Sequence, residues 1–206
     1  MNQIHDILGS IIIGGIVLLM LITFNGNVMQ SAGVQTFKTI VQGNLITVTD
    51  IIEFDLRKMG YRVSATQDIS ILYADSNRIT FKGDIDDNGV MDTVQYYIDT
   101  VKAYLTNNPS DRVLHRKLNS QAPVNMYVGM IGLNIQYYGN NDSPINNSPV
   151  AAASLNTIKS VKVELRIEST DRFFDTRKSQ FISNPFNDTT YAGAYWERKI
   201  KPQNTR

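Results

Sequence analysis

Oxygen-bearing side chains are grouped in one short segment of this sequence, residues 84–92. They stand at positions one, three, five and nine of the segment: Asp84, Asp86, Asn88 and Asp92. Ca²⁺ takes about six to eight oxygen ligands, and a glycine at the sixth position, here Gly89, permits the sharp turn that gathers them. Together with the backbone carbonyl of Val90, this spacing resembles the first three-quarters of a Ca²⁺-binding loop.

The segment departs from that loop at its last position, where Gln95 stands in place of a bidentate glutamate. An outside carboxylate, from Asp75 or Asp99, would have to help complete the ligand shell. Asn-Gly is also a favoured hairpin turn, and aspartate is common in turns. Two interpretations therefore stay open, a Ca²⁺ site as the single cofactor and a plain turn.

The rest of the sequence offers little catalytic chemistry. It has no cysteine and two histidines, His5 and His115, of which one falls in the polar part of the chain, so a Ser-His-Asp triad is not credible. No glycine-rich phosphate loop is found. Lys and Arg total 20 against 19 Asp and Glu, a balance that predicts no broad nucleic-acid surface. We expect a protein that is not an enzyme.

The element nearest the start of the chain is an apolar run from Ile7 to Phe24 that carries no charge. As a helix, eighteen residues span roughly 27 Å, close to the hydrocarbon thickness of a bilayer. A cleaved signal peptide and a buried core helix are the alternatives, although residues 1–6 hold no Lys or Arg. We predict a single-pass membrane anchor over residues 1–33, with the following domain outside the cytoplasm.

A second helical pattern covers residues 36–60, where apolar residues recur at steps of three and four. They are Phe37, Ile40, Val41, Leu45, Val48, Ile52, Leu56 and Met59. Residues 25–36 are rich in Gly, Asn and Ser and predict a weak stretch between the two helical parts. Gly60 is the expected helix end.

Residues 61–206 read as β-rich, because apolar residues alternate with polar ones. The alternation predicts strands near 69–73, 79–81 and 94–98, and further strand candidates are 102–106, 112–118, 126–138, 158–168 and 193–200. Residues 139–157, with their Asn pairs and Ser-Pro steps, predict an exposed loop. Such strands form an antiparallel sheet with one face free to rest on the amphipathic helix. The predicted fold class is α+β, with one globular domain over residues 34–206.

Three segments carry a resemblance to a known family. Residues 55–61, Asp-Leu-Arg-Lys-Met-Gly-Tyr, resemble the DLRxxGY helix end of minor pseudopilins and minor type IV pilins. Residues 79–84 and 92–97 are similar to that family's strand–acidic turn–strand hairpin, and residues 198–204 to its basic-Pro-x-Asn ending. The resemblance implies a pilin-like fold and a minor subunit of a type IV pilus-like or type II secretion pseudopilus filament. The partners of such a subunit would be the inner membrane and other pilin subunits. The protein would be located in that membrane or in a cell-surface filament.

The sequence departs from the family at its start, where the basic leader, the glycine cleavage site and Phe-Thr-Leu-x-Glu are not found. Removal of Met1 would place Asp6 fifth, where the family's assembly glutamate stands. The resemblance implies that this acid pairs with the N-terminal amine of a neighbouring subunit, since a buried charge needs a partner. The alternatives are that Asp6 only marks the membrane boundary, and that the chain is a tethered binding or adhesion domain that does not polymerise.

Overall fold

A computed structural model describes residues 2–63, 70–104, 106–172, 174–175, 180–181 and 191–202. One helix, α1 (Asn2–Arg57), precedes all the strands. The strands are β1 (Ile71–Ala74), β2 (Arg78–Gly83), β3 (Asp92–Lys102), β4 (Arg112–Leu118), β5 (Val124–Tyr138), β6 (Pro144–Ile145), β7 (Ser160–Glu168), β8 (Phe174–Asp175), β9 (Gln180–Phe181) and β10 (Gly193–Ile200). The predicted α+β class, a long helix on an antiparallel sheet, is confirmed.

Helix α1 is continuous over 56 residues, a length of roughly 84 Å. The weak stretch predicted for residues 25–36 does not interrupt it. Extending an existing helix fixes one residue per hydrogen bond, whereas a break would require the unfavourable nucleation of a second helix. The helical segments on both sides therefore keep residues 25–36 helical despite their low helix propensity. The helix ends at Arg57, three residues before the predicted end at Gly60. Gly60 has a φ of 75° and its N–H donates to the carbonyl of Lys82 at 2.8 Å, which fastens the helix end to β2.

Seven strands form one antiparallel sheet in the order β1-β2-β3-β4-β5-β7-β10, with the short β6 added to β5 and a separate β8–β9 ribbon. The predicted strands 112–118 and 193–200 are found with the same bounds. The strand predicted at 102–106 is wrong, because β3 ends at Lys102 and Ala103 and Tyr104 follow outside it. Ile69 and Leu105 lie outside the described residues. The predicted loop 139–157 also contains β6 and two short 3₁₀ turns, Asn140–Asp142 and Ala152–Thr157.

The core lies between the second half of α1 and one face of the sheet. Buried apolar residues of the helix are spaced by seven, four and four: Val41, Val48, Ile52 and Leu56. They share a core cluster with apolar side chains of the sheet, among them Ile79, Phe81, Val94, Tyr96, Leu114, Ile135, Val163 and Leu165. This spacing is what an amphipathic helix requires to cover a half-buried sheet.

Candidate functional site

The first half of α1 extends away from the sheet with its apolar side chains uncovered. Between Ile4 and Phe24, fourteen large apolar side chains are 48–68% exposed: Ile4, Ile7, Leu8, Ile11, Ile12, Ile13, Ile16, Val17, Leu18, Leu19, Met20, Leu21, Ile22 and Phe24. Within the described residues, α1 is the one helix long and apolar enough to cross a membrane. Fully burying an aliphatic side chain stabilises by roughly 1.5–3 kcal/mol, so covering this surface is worth tens of kcal/mol.

Asp6 lies on the exposed surface at the beginning of this helix, immediately before the apolar run. In the part of the chain that the structure describes, its side chain is open to solvent. An acid in this position would lose its hydration if the helix surface around it were covered by other apolar helices, and it would then need a cationic partner.

A buried ion pair holds the second half of α1 on the sheet. Asp55 is 1% exposed, and its carboxylate accepts hydrogen bonds from Arg116 Nε at 2.7 Å and Nη2 at 3.1 Å. The hydroxyl of Tyr96 donates to the same carboxylate at 2.5 Å. Burial and the Asp55 charge raise the pKa of Tyr96, so its hydroxyl remains a donor. The pairing of Asp55 with β3 and β4 fixes the register of the helix against the sheet.

The acidic turn follows β2 and is closed by its own side chains. Asp84 is completely buried, and its oxygens accept from the N–H of Asn88 at 3.0 Å and of Gly89 at 2.9 Å. Asp92 accepts from the Ile85 N–H at 3.1 Å. These bonds draw the ends of the turn together. Ligand oxygens of Asp84, Asp86 and Asp92 lie within 4.8 Å of one another, so this cluster could hold a metal ion.

Two cations also reach the turn. Arg62 donates to the Asp84 carboxylate at 2.7 Å, and Lys58 donates to the Ile85 carbonyl and to the Asp87 carboxylate, each at 2.7 Å. Burial alone would raise the pKa of the Asp84 carboxyl, but the Arg62 guanidinium and the two backbone N–H groups outweigh burial and lower it. Four carboxylates face these two cations, so the turn keeps an excess of negative charge.

The residues of the turn meet the requirements of a Ca²⁺ site in part. A carboxylate oxygen has lone pairs to spare after one hydrogen bond, so Asp84, Asp86 and Asp92 can accept both N–H groups and a cation. The Asn88 side-chain oxygen accepts from the Val90 N–H at 2.7 Å, which places it inside the turn. Arg62 donates to Asp84 and would compete with a metal for this carboxylate.

The outside carboxylates expected to complete the shell lie elsewhere. Asp75 binds the Ser76 N–H and the Ser148 hydroxyl beside the β1–β2 turn, and Asp99 faces the His115 ring at 3.0 Å. Both are near the Arg78–Tyr97 end of the β2–β3 pair, whereas the acidic turn joins the Gly83–Asp92 end. Six residues of strand separate these ends by roughly 17 Å.

Sequence reasoning did not identify Lys58 and Arg62 as partners of the turn. The available signal was weak: both are basic residues just after an amphipathic helix, a position equally typical of a solvated helix end. Lys58 and Arg62 reach the turn because the hydrogen bond from the Gly60 N–H to the Lys82 carbonyl places the end of α1 beside β2. Gly83 makes this approach possible, because a Cβ there would lie 2.2 Å from the Lys58 carbonyl oxygen.

The architecture defines the class of protein: a long N-terminal helix, half apolar and uncovered, packed on a curled antiparallel sheet is a pilin-like fold. The chain is similar in structure to a type IV-like pilin from Thermus thermophilus, with a TM-score of 0.50 and 10% sequence identity over 80% of this chain and 96% of that one. Sequence comparison finds no protein family and no curated protein that matches the chain. The similarity therefore concerns the fold.

Proposed function

We propose that this chain is a membrane-anchored structural subunit of a type IV pilus-like or type II secretion pseudopilus filament, as a minor component. The observation that carries the proposal is the uncovered apolar half of α1. A rod of fourteen exposed apolar side chains is unstable in water and is stable in lipid or among similar rods. The pilin-like fold supports the same role.

In this proposal α1 has two successive environments. The segment Ile7–Phe24 spans the inner membrane while the sheet domain stays outside the cytoplasm, and it then packs against the helices of neighbouring subunits in the filament. The domain forms the outer surface and selects partners. The role is mechanical, because the chain supplies an anchor and an interface rather than a reacting group.

Asp6 is proposed to set the register between neighbours. Its solvated carboxylate would enter an apolar filament core on assembly, where the N-terminal amine of another subunit would neutralise it. Replacing it with Ala removes one half of that pair. Membrane insertion, which depends on the length of the apolar run, is expected to remain.

The experiment compares sheared extracellular filaments with the membrane fraction of cells that produce the tagged full-length protein. The proposal expects wild type in both fractions, and Asp6→Ala in the membrane fraction but strongly depleted from filaments. Asp50→Ala is a matched control, because Asp50 is an exposed acid on the same helix within the domain. If wild type is found only in membranes, the chain is a tethered binding or adhesion domain that does not polymerise. Equal depletion of both variants would contradict the role of Asp6.

For the acidic turn we propose a weak Ca²⁺ site formed by Asp84, Asp86 and Asp92, with Asn88 and the Val90 carbonyl as further oxygen ligands. Ca²⁺ would neutralise the excess negative charge and stiffen the turn beside the end of α1. Because the turn is already closed by hydrogen bonds to Asp84 and Asp92, the domain is expected to fold without the ion. Calorimetric titration of the full chain with Ca²⁺ tests this, and no heat at millimolar metal would contradict it.

A further inference from the structure

A polar cleft lies at the far end of three neighbouring strands, away from the residues assigned above. It has a volume of about 770 Å³ and is bounded by the turn after β5, the start of β7 and the end of β10. The register Tyr138↔Ser160 and Val161↔Ile200 brings these strand ends side by side. Sheet pairing, rather than sequence proximity, therefore assembles the cleft.

Three lysines line this cleft: Lys159, Lys199 and Lys201. Among the described residues of the lining, Asp142 is the one acidic side chain, so the lysines outnumber the carboxylates. The acidic turn at residues 84–92 has the opposite excess, although the whole chain has a net charge of only +1. Charge of this sign in a concave polar site attracts an anion and raises its local concentration.

Ser160 provides a second, independent indication. The residue is 5% exposed, lines the cleft, and its hydroxyl oxygen has no hydrogen-bond partner among the described residues. Buried hydroxyl groups are normally hydrogen-bonded, because an unpaired one has lost its hydration without compensation. A ligand oxygen in the cleft would give this hydroxyl an acceptor.

Lys199 is held in position before any ligand arrives. Its ammonium lies 3.4 Å from the centre of the Tyr138 ring and 2.8 Å from Asp142 Oδ1. An ammonium has three donors, and Asp142 accepts from one of them, so others remain for a ligand. Asp142 itself is 73% exposed at its side chain, and both Asn141 and Asp142 have positive φ, 55° and 62°.

We propose that this cleft binds a phosphate group carried by a small organic molecule or a lipid headgroup. A phosphomonoester matches the site better than a carboxylate because its three terminal oxygens can accept from several point charges and one hydroxyl. The described cations of the lining are all lysines, which contact a phosphate as point charges. The volume leaves room for a glycerol or sugar beside the phosphate.

The test titrates the full-length protein in a nonionic detergent with sn-glycerol 3-phosphate and with inorganic phosphate, using isothermal calorimetry. Saturable binding of one equivalent is expected, and it should weaken as salt increases. Lys199→Gln is expected to weaken binding about tenfold and Ser160→Ala about fivefold, as losses of one charged and one neutral contact. Lys102→Gln, an exposed lysine at the end of β3, should change affinity less than about twofold.

Two further measurements distinguish a lipid headgroup from a soluble ligand, and a phosphate from a carboxylate. Competition by phosphatidic acid, whose headgroup is a phosphomonoester, in mixed micelles, but not by phosphatidylcholine, assigns the site to a lipid headgroup. Absence of this competition assigns the site to a soluble phosphorylated molecule. Melting curves confirm that each variant is folded. Absence of saturable binding, equal binding of acetate, or wild-type affinity in both Lys199→Gln and Ser160→Ala would overturn the proposal.

Discussion

Replacing Asp55 with Asn removes the charge from the carboxylate that holds α1 on the sheet. The guanidinium of Arg116 and the hydroxyl of Tyr96 both donate to this carboxylate. Removing one partner of a buried ion pair costs about 3–5 kcal/mol, because the other charge is left without compensation. The Arg116 side chain is 22% exposed, so water can replace part of the lost interaction. We therefore expect a loss of about 2–4 kcal/mol in the free energy of unfolding.

Urea unfolding of the full chain in detergent measures this loss. Trp196 is the single tryptophan and packs against the core, so its fluorescence reports on the β10 side of the helix–sheet interface. A loss of about 3 kcal/mol corresponds to a decrease of roughly 6–12 °C in melting temperature for a domain of this size.

The matched control is Glu53→Gln, two residues earlier on α1. Glu53 accepts from Arg57 and Arg198, whose side chains are 53% and 51% exposed. Exposed pairs of this kind contribute about 0–1 kcal/mol. Replacing both buried partners, as in Asp55→Leu with Arg116→Met, should recover at least half of the stability lost in Asp55→Asn, since no uncompensated charge remains. Equal effects of Asp55→Asn and Glu53→Gln would refute the reasoning.

Three other perturbations have expected outcomes. In calorimetric Ca²⁺ titrations, Asp86→Asn should weaken binding and Arg62→Gln should strengthen it, because Arg62 competes for Asp84; the reverse order would argue against a metal in the turn. Asp111 is 1% exposed, and burial raises the pKa of its carboxyl although contacts with Thr106 and Arg112 offset part of this rise. The folded state therefore binds the Asp111 proton more tightly than the unfolded state does, and the contribution of this group to stability falls as pH rises above about 4. In urea unfolding, Asp111→Asn should be more stable than wild type by roughly 1 kcal/mol at pH 7. At pH 3 the variant should show no such gain. Gly83→Ala should destabilise the domain by more than about 2 kcal/mol, because the added Cβ would lie 2.2 Å from the Lys58 carbonyl oxygen. Gly43→Ala, on the exposed surface of α1, should be neutral or stabilising. Similar melting temperatures for the two variants would contradict the close approach at Gly83.

The elements that depend on local pattern could be predicted from the sequence. The uncharged run Ile7–Phe24 identified the apolar half of α1, and the strand candidates 112–118 and 193–200 agree with β4 and β10 to the residue. These patterns follow from the periods of helix and strand and need no knowledge of distant contacts. The α+β arrangement followed from combining them.

Features that depend on contacts distant in sequence could not be predicted. Asp55 and Arg116 are 61 residues apart, and nothing local distinguishes them from solvated helix and strand charges. Helix α1 continues through residues 25–36 despite their unfavourable helix propensity, because the helical segments on both sides are already nucleated. In the acidic turn, the carboxylates were recognisable from their spacing, but Arg62 reached them only through the folding of Gly60 onto β2.

The central claim is that the apolar half of α1 is buried in lipid or among other helices rather than exposed to water. Extraction of membranes from producing cells with sodium carbonate, followed by centrifugation and detection of the full-length chain, tests it most directly. The account predicts that the intact chain remains with the membranes, and that a variant with several charged substitutions between Ile11 and Leu21 does not. Recovery of the intact wild-type chain as a soluble monomer would contradict the account.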